Sequence, residues 1–122
     1  MLFDTRYFWA VFTSKSPEET SRLKTLLEKS KSAFASSVTI YEVYKLTLAG
    51  EGRAVAKLRT DTIEKEFDVI DIDKEIAEQG AEISHRLHVP MADALIMATS
   101  KRLRLPCVTD DTHFAEVKKV WI

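Results

Sequence analysis

The sequence predicts an α/β protein, a three-layer α/β/α sandwich around a mostly parallel sheet of about five strands. Short apolar or β-branched segments alternate with longer segments whose apolar residues recur at helical spacing. Strands that alternate with helices imply right-handed crossovers and a parallel sheet that is covered on both faces. A chain of 122 residues can enclose one core but is too short for two, so we expect a single domain over residues 1–122.

The first elements are predicted from an apolar run and a capping pattern. Residues 1–3 are apolar throughout, as in a strand buried on both faces, and Asp4 then lies at the carboxyl end of that strand. Ser16 and Pro17 predict the start of a helix, because a hydroxyl N-cap and a proline at the first helical position are both favoured there. Residues 33–37 predict the second strand.

The middle of the chain predicts two helices in succession. Ile40 and Val43 recur at helical spacing until Gly50 and Gly52 stop the segment. Another helix is predicted over about 53–65. The sequence therefore places a helix pair between the second and third strands.

The remaining elements follow the same alternation. Residues 67–72 are rich in β-branched side chains and predict the third strand, after which Asp73 caps a helix that Pro90 terminates. Residues 91–104 predict an apolar helix with a basic last turn, which the helix dipole favours. The last predicted elements are a fourth strand at 105–109, a short helix at 114–119 and a closing edge strand at 120–122.

Composition sets limits on the class of protein. The chain is 45% hydrophobic and 30% charged, which is ordinary for a folded domain, and its net charge of −1 argues against broad electrostatic capture of nucleic acid. No apolar run approaches the roughly 20 residues that span a bilayer, and Asp4 interrupts any N-terminal signal peptide, so a cytoplasmic protein is expected. Cys107 is alone, which excludes an internal disulfide and favours a buried thiol.

Carboxylates gather at the positions where a parallel sheet binds ligands. Asp4 follows the first predicted strand, and Asp110 and Asp111 follow the fourth. Glu42 lies early in the helix that leaves the second strand, and Asp93 opens a helix that is otherwise apolar. Because ligands of such folds bind outside the carboxyl ends of the strands, these residues are candidates for one site.

Each carboxylate also has a structural alternative. Glu42 could complete a capping box with Thr39, Asp93 could be a first-turn acid favoured by the helix dipole, and either aspartate of the pair could cap the segment that follows. Converging carboxylates, however, repel one another and raise each other's pKa unless a cation is present. Mg²⁺ or Mn²⁺, which prefer oxygen ligands, would meet that need.

Four segments, MLFDT, SSVTIYEVY, MADALIMATS and VTDDTHF, together resemble the PIN-domain family, and the compact size resembles its VapC-type toxins. The resemblance implies a parallel sheet between helices and metal-dependent endonucleolytic cleavage of RNA. It places Asp4, Glu42, Asp93 and Asp111 on the acidic positions that hold Mg²⁺ or Mn²⁺, and Thr109 where it helps to orient water at the metal. It further implies a cognate antitoxin, held in an apolar groove, and a homodimer.

The sequence departs from the family pattern at two positions. Arg6 stands where asparagine or serine is frequent, and its side chain could pair with a carboxylate, touch phosphate or weaken the site. Asp110 adds a carboxylate that could shift metal preference or face solvent. Consecutive strand residues point to opposite sides, so Asp110 and Asp111 are not both expected to face one crevice without a local twist.

Other polar and aromatic residues are predicted to have structural roles. His113, like the other two histidines, is expected at the surface or at the end of a helix, and Arg59 is expected on a solvated helix face. The aromatic side chains that follow Asp4 are expected in the core, with a partner-binding groove as the second interpretation. Lys101, Arg102 and Arg104 complement the dipole of their helix or guide RNA.

Three functions are compatible with these residues. The leading one is an Mg²⁺- or Mn²⁺-dependent ribonuclease, the toxin of a toxin–antitoxin pair. A phosphoryl-transfer protein with Asp4 as nucleophile is disfavoured, because Arg6 stands where a second aspartate is needed. The third is a catalytically weak binding module, or an RNA-processing factor, that retains the acids. Metal-dependent cleavage of RNA separates the first from the others.

Overall fold

The structure is a computed structural model that describes residues 1–122, which form one five-stranded sheet covered by helices. In chain order the elements are β1 (Leu2–Phe3), α1 (Thr5–Thr13), α2 (Pro17–Glu28), β2 (Phe34–Ser36), α3 (Ser37–Glu51), α4 (Arg53–Glu66), β3 (Asp68–Ile70), α5 (Lys74–Leu87), α6 (Met91–Leu103), β4 (Cys107–Val108) and β5 (Lys119–Val120). None of the helices is both long enough and apolar enough to cross a bilayer.

The sheet is parallel throughout, in the order β3-β2-β1-β4-β5. Strand β1 is central, with Leu2 opposite Phe34 of β2 and Cys107 of β4. The predicted fold class, an α/β/α sandwich with a five-stranded parallel sheet, is confirmed. The order also brings the ends of β1 and β4 side by side.

The core lies on both faces of the sheet because successive strand residues point to opposite sides. Leu2 and Cys107 belong to a cluster with the apolar residues of α5 and α6. Phe3 and Val108 belong to a second cluster, filled by side chains of α1, α2, α3 and α4. Burial raises the pKa of the Cys107 thiol well above its usual range, so the predicted buried, unreactive cysteine agrees with the structure.

Two predicted helix starts are confirmed in atomic detail. The Ser16 hydroxyl accepts a hydrogen bond from the Glu19 amide at 3.2 Å, and Pro17 is the first residue of α2. The Asp73 carboxylate accepts from the Ile76 amide at 2.9 Å and begins α5. These side chains satisfy amides that have no partner inside the helix.

Helix α1 was not predicted, because its aromatic residues are consecutive and hide the helical period. Tyr7 and Phe8 are both buried, and their rings pack edge to face with Phe3 and Phe67, while Asp4 caps the helix. The expectation that these aromatic side chains fill the core is confirmed for Tyr7 and Phe8. The helix begins directly after β1, which fixes the direction of the Asp4 side chain.

The predicted helix at 114–119 is wrong, and the closing strand is Lys119–Val120 rather than 120–122. Phe114 is fully buried in the first core cluster, and the Cys107 amide donates to the Lys118 carbonyl at 2.8 Å. Burying Phe114 and pairing β5 with β4 within so few residues requires turns and extended backbone, which a helix cannot supply.

Arg59 was expected to face solvent, but only 11% of its side chain is exposed. Its guanidinium lies over the rings of Trp9 and Phe12, with 5.7 and 5.4 Å to the ring centroids, and pairs with Glu51. The Arg59 side chain therefore connects α4 to α1, and its charge is not available to a ligand.

Candidate active site

A cleft of about 420 Å³ opens at the carboxyl ends of β1 and β4. Its walls include six carboxylates, one guanidinium and two indole rings, among the residues Asp4, Thr5, Arg6, Trp9, Glu19, Glu42, Asp93, Asp110, Asp111 and Trp121. The four acids predicted for one site therefore do line one cleft. This is the position at which parallel α/β sheets bind ligands.

Asp4 is the deepest carboxylate of the cleft, with 2% of the residue exposed. One of its oxygens accepts from the Thr5 amide at 2.7 Å and the other from the Thr109 hydroxyl at 2.8 Å. Burial nevertheless raises its pKa to about 7, with Asp93 and Glu42 adding repulsion. The carboxylate is fixed in direction, and its negative charge lacks a cationic partner.

Glu42 reaches the cleft from inside α3. Its Oε1 accepts a hydrogen bond from the Thr5 hydroxyl at 2.6 Å, and that hydroxyl also lies 3.1 Å from the Thr39 hydroxyl. The cap of α3 is Ser36, so the capping box of Thr39 with Glu42 is not formed. Burial raises the pKa of Glu42 as well.

Asp93 and Asp111 meet through His113. The His113 Nδ1 lies 2.8 Å from Asp93 Oδ2 and 3.2 Å from Asp111 Oδ1. One ligand atom from each of the three residues lies within 4.8 Å of the others, which is compact enough to hold one metal ion. Burial raises the pKa of Asp93.

Asp111 lines the cleft, as predicted, and it also caps the following segment, which was the structural alternative. Its Oδ1 accepts from the His113 amide at 2.9 Å, so it caps the turn that follows, and its own amide donates to the Thr109 hydroxyl at 3.0 Å. Thr109 thus connects Asp4 and Asp111, and is 1% exposed. Its role in orienting water stays a prediction.

His113 is the site residue that the sequence did not assign. Half of its side chain is exposed, as expected, but its imidazole stands between two carboxylates on different elements. His113 lies in a turn, where the spacing of residues along a helix gives no signal. The signal was its position two residues after Asp111, where a turn folds the ring back over the acid.

Arg6 pairs with Asp110 at the rim of the cleft, which selects the first of the alternatives open for Arg6. The guanidinium holds the pKa of Asp110 below its usual range. Asp110 and Asp111 both line the cleft, against the expected alternation, because β4 ends at Val108 and the following residues are not in a strand. The two acids differ in partner, since Asp110 faces a cation and Asp111 faces Asp93 and His113.

The family is shown by comparison with known proteins. The model of the PIN domain matches residues 1–120, and the chain belongs to that family. No curated protein matches the sequence.

Several solved structures share the fold. A toxin–antitoxin complex from Klebsiella pneumoniae is 25% identical with a TM-score of 0.77, over 98% of this chain and 94% of that one. FitAcB from Neisseria gonorrhoeae is also 25% identical, with a TM-score of 0.76 over 97% and 94%. Mycobacterium tuberculosis VapC20, a sarcin–ricin loop cleaving toxin, is 17% identical with a TM-score of 0.82 over 98% and 97%.

Proposed function

We propose that this protein is a metal-dependent endoribonuclease that cleaves RNA phosphodiester bonds as the toxin of a toxin–antitoxin pair. The observation that carries the proposal is that Asp4, Glu42, Asp93 and Asp111 line one cleft and that none of them pairs with an arginine or a lysine. Membership of the PIN-domain family and the similarity to toxins of known structure support it.

The donor set of the cleft fits a divalent cation. Burial raises the pKa of three of the acids, Asp4, Glu42 and Asp93, so their negative charges are destabilised until a positive charge compensates them. Carboxylate oxygens suit Mg²⁺ and Mn²⁺, and these four acids would hold the ion. When bound, the ion would lower the pKa of water and stabilise the negative charge that develops on a phosphodiester.

The threonines of the site position the acids. The Thr109 hydroxyl donates its only proton to Asp4, and the Thr5 hydroxyl donates to Glu42. Each bond removes rotational freedom from a carboxylate, so the oxygens are aligned before an ion enters. We assign Thr5 and Thr109 to this positioning.

We propose three further properties that rest on the same assignment. The protein acts in the cytoplasm and forms a homodimer. It binds a segment of a cognate antitoxin in an apolar groove of about 350 Å³ that is lined by Tyr7, Phe8, Val11, Phe12 and Leu27, among others. The similarity in fold to a toxin–antitoxin complex from Klebsiella pneumoniae supports such a partner.

Metal removal tests the proposal. We expect EDTA to abolish cleavage of a mixed RNA substrate, and Mg²⁺ or Mn²⁺ in excess to restore it. The same ions should raise the melting temperature, because a ligand that binds only the native state stabilises it by about 2.7 kcal/mol at a hundredfold excess over Kd.

Two outcomes would contradict the proposed enzyme in different ways. Undiminished cleavage in EDTA would remove the metal from the mechanism. A melting temperature raised by Mn²⁺ with no cleavage of any RNA would indicate the binding module that retains the acids.

A further inference from the structure

The cleft cannot supply the affinity for an RNA strand from its own side chains. It contains six carboxylates, and its single guanidinium, Arg6, is already paired with Asp110. RNA is a polyanion whose binding derives largely from cations placed against its phosphates. A metal ion in the cleft would contact only the phosphate at the site of cleavage, so the rest of the strand needs cations outside the cleft.

The basic last turn of α6 is not the source of these cations. The Lys101 ammonium lies 2.7 Å from Glu116, which Arg86 also contacts at 2.7 Å, and Arg102 pairs with Asp73. Arg104, the third residue of this prediction, forms no salt bridge but lies shortly before β4, at the edge of the sheet opposite the cleft. The prediction that these residues guide RNA therefore loses its basis. The charges of Lys101 and Arg102 already compensate neighbouring carboxylates.

A groove beside the cleft has unpaired cations. It has a volume of about 310 Å³ and runs between α2 and the C-terminal residues, where it is lined by Ser21, Arg22, Thr25, Leu26, Lys29, Trp121 and Ile122. Arg22 and Lys29 are exposed, and neither forms a salt bridge. Arg22 lies in α2, and Lys29 is the C-cap residue of that helix, seven positions further on, so both lie on the same side of it.

Trp121 is shared by the wall of this groove and the wall of the cleft. Its side chain lines both cavities, and it is half-buried against the second core cluster, so packing fixes its position. An indole ring held in place at the junction of two grooves is a platform for a nucleobase, and such stacking tolerates any base. Unpaired bases are available in single-stranded RNA and not inside a duplex.

We propose that single-stranded RNA passes from the cleft across Trp121 into the α2 groove. Trp121 stacks against an unpaired base, and Arg22 and Lys29 contact backbone phosphates on one side of the scissile bond. The proposal rests on the assigned ribonuclease function and deepens it, since it gives the path of the RNA strand beyond the cleft and the residues that hold it there.

The first test compares two double variants with the same loss of charge. Binding of a fluorescein-labelled single-stranded RNA is measured by anisotropy in EDTA, so that metal-dependent cleavage does not interfere. We expect Arg22→Ala with Lys29→Ala to bind at least tenfold more weakly, and the salt dependence of log K to decrease by about 0.7 for each lost phosphate contact. Lys24→Ala with Lys31→Ala is the control, because neither residue lines the groove, and it should bind within about twofold of the wild type.

The second test addresses the stacking. In a Trp9→Phe background, Trp121 is the only tryptophan, and we expect its fluorescence to be quenched when the RNA is added. Trp121→Phe keeps an aromatic face and should retain most of the affinity, whereas Trp121→Leu should lose about fivefold or more. A merely structural Trp121 would give neither the quenching nor the difference between phenylalanine and leucine.

The results separate this proposal from the ribonuclease assignment. Unchanged RNA affinity in the Arg22 and Lys29 variant, with no quenching of Trp121, would overturn the path while leaving cleavage intact. Loss of RNA affinity in that variant, with no cleavage by the wild type in Mn²⁺, would support the path and remove the enzyme. Weaker binding of a protein partner without any change in RNA binding would assign the groove to that partner and overturn the proposal.

Discussion

Asp110 and Asp111 are adjacent in sequence but have opposite electrostatic surroundings. Asp110 is paired with Arg6 at the rim, and Asp111 lies against Asp93 and His113. We predict that Asp111→Asn lowers the single-turnover rate of RNA cleavage on the order of 10²-fold or more, because it removes a ligand charge but keeps the oxygen that caps the His113 amide.

Asp110→Asn is the matched control for that substitution. It breaks an exposed ion pair of the kind worth ~1 kcal/mol or less, and its cleavage rate should stay within about tenfold of the wild type. Both variants are measured with one RNA at saturating Mn²⁺. An inactive Asp110→Asn beside an active Asp111→Asn would show that the wrong aspartate has been assigned to the metal.

The buried carboxylate of Asp4 predicts a pH dependence of stability. Its pKa is about 7 in the native protein against an ordinary value of 3.8, so between these values the native state keeps a proton that the unfolded state has lost. The contribution of Asp4 is therefore most favourable below about pH 4 and decreases as the pH rises to about 7.

Asp4→Asn isolates this contribution. The free energy of unfolding in EDTA, from urea denaturation, should fall for the wild type relative to Asp4→Asn as the pH rises from 4 to 8. The difference in free energy of unfolding between Asp4→Asn and the wild type should therefore favour the variant more above pH 7 than at pH 4. A difference between the two proteins that is constant with pH would contradict the raised pKa of Asp4.

The acids of the cleft could be predicted from the sequence because each follows a strand or opens a helix at the same edge of the sheet. Asp4 and Asp93 illustrate this, since their positions depend only on element boundaries. The contacts of His113 and Arg6 could not be predicted, because they depend on how the loop after β4 folds over the cleft. Side-chain partners across a turn are set by tertiary packing, which leaves no periodic signal.

One glycine separates α3 from α4, and a second lies inside α3. Gly52 has φ 88° and ψ 178°, a conformation that side chains with a Cβ rarely adopt. We predict that Gly52→Ala lowers the free energy of unfolding by about 1–3 kcal/mol. The measurement is chemical denaturation, with circular dichroism to verify the native helix content.

Gly50→Ala is the control, since Gly50 is helical and nothing lies within 4 Å of the place where a Cβ would stand. Alanine there should raise the free energy of unfolding by about 0.5–1 kcal/mol, because it is the better helix former. Equal shifts of the same sign in both variants would mean that the conformation of Gly52 is not strained for alanine.

The start of a helix could be predicted where a capping side chain marks it. Elements that depend on tertiary packing alone could not be predicted. Ser16 and Asp73 begin helices in both the sequence interpretation and the structure, because the cap is a local interaction. Helix α1 has a continuous apolar sequence, and its helical state follows from the aromatic cluster with Phe67, which is distant in sequence. The segment 114–119 was misassigned for a related reason, as Phe114 is drawn into the core.

The net charge of the chain is only −1, but its negative and positive charges lie in different parts of the surface. Carboxylates concentrate in the cleft, and exposed, unpaired cations lie in the adjacent α2 groove. Composition therefore argued against broad electrostatic attraction of nucleic acid without excluding a local path. Such a path fits an enzyme that must hold a polyanion beside a site made of acids.

Tyr7 and Phe8 of the aromatic N-terminal segment are 3% and 2% exposed, which leaves too little of their surface for an interface between two copies of the chain. Exposed apolar side chains lie instead on the outer face of α3, where Tyr41 is 58% and Leu48 is 42% exposed. These two residues are seven apart and so share one helix face. We predict that this face forms the interface between two copies of the chain.

Light scattering at micromolar concentration should give a mass twice that of the 13.9 kDa chain. The double variant Tyr41→Glu with Leu48→Glu should be monomeric, because burying two carboxylates against their copies in a symmetric interface is unfavourable. Leu58→Glu, on α4 and 66% exposed in the wild type, is the matched control and should remain dimeric. A monomeric wild type would contradict the dimer, and dissociation by Leu58→Glu alone would move the interface from α3 to α4.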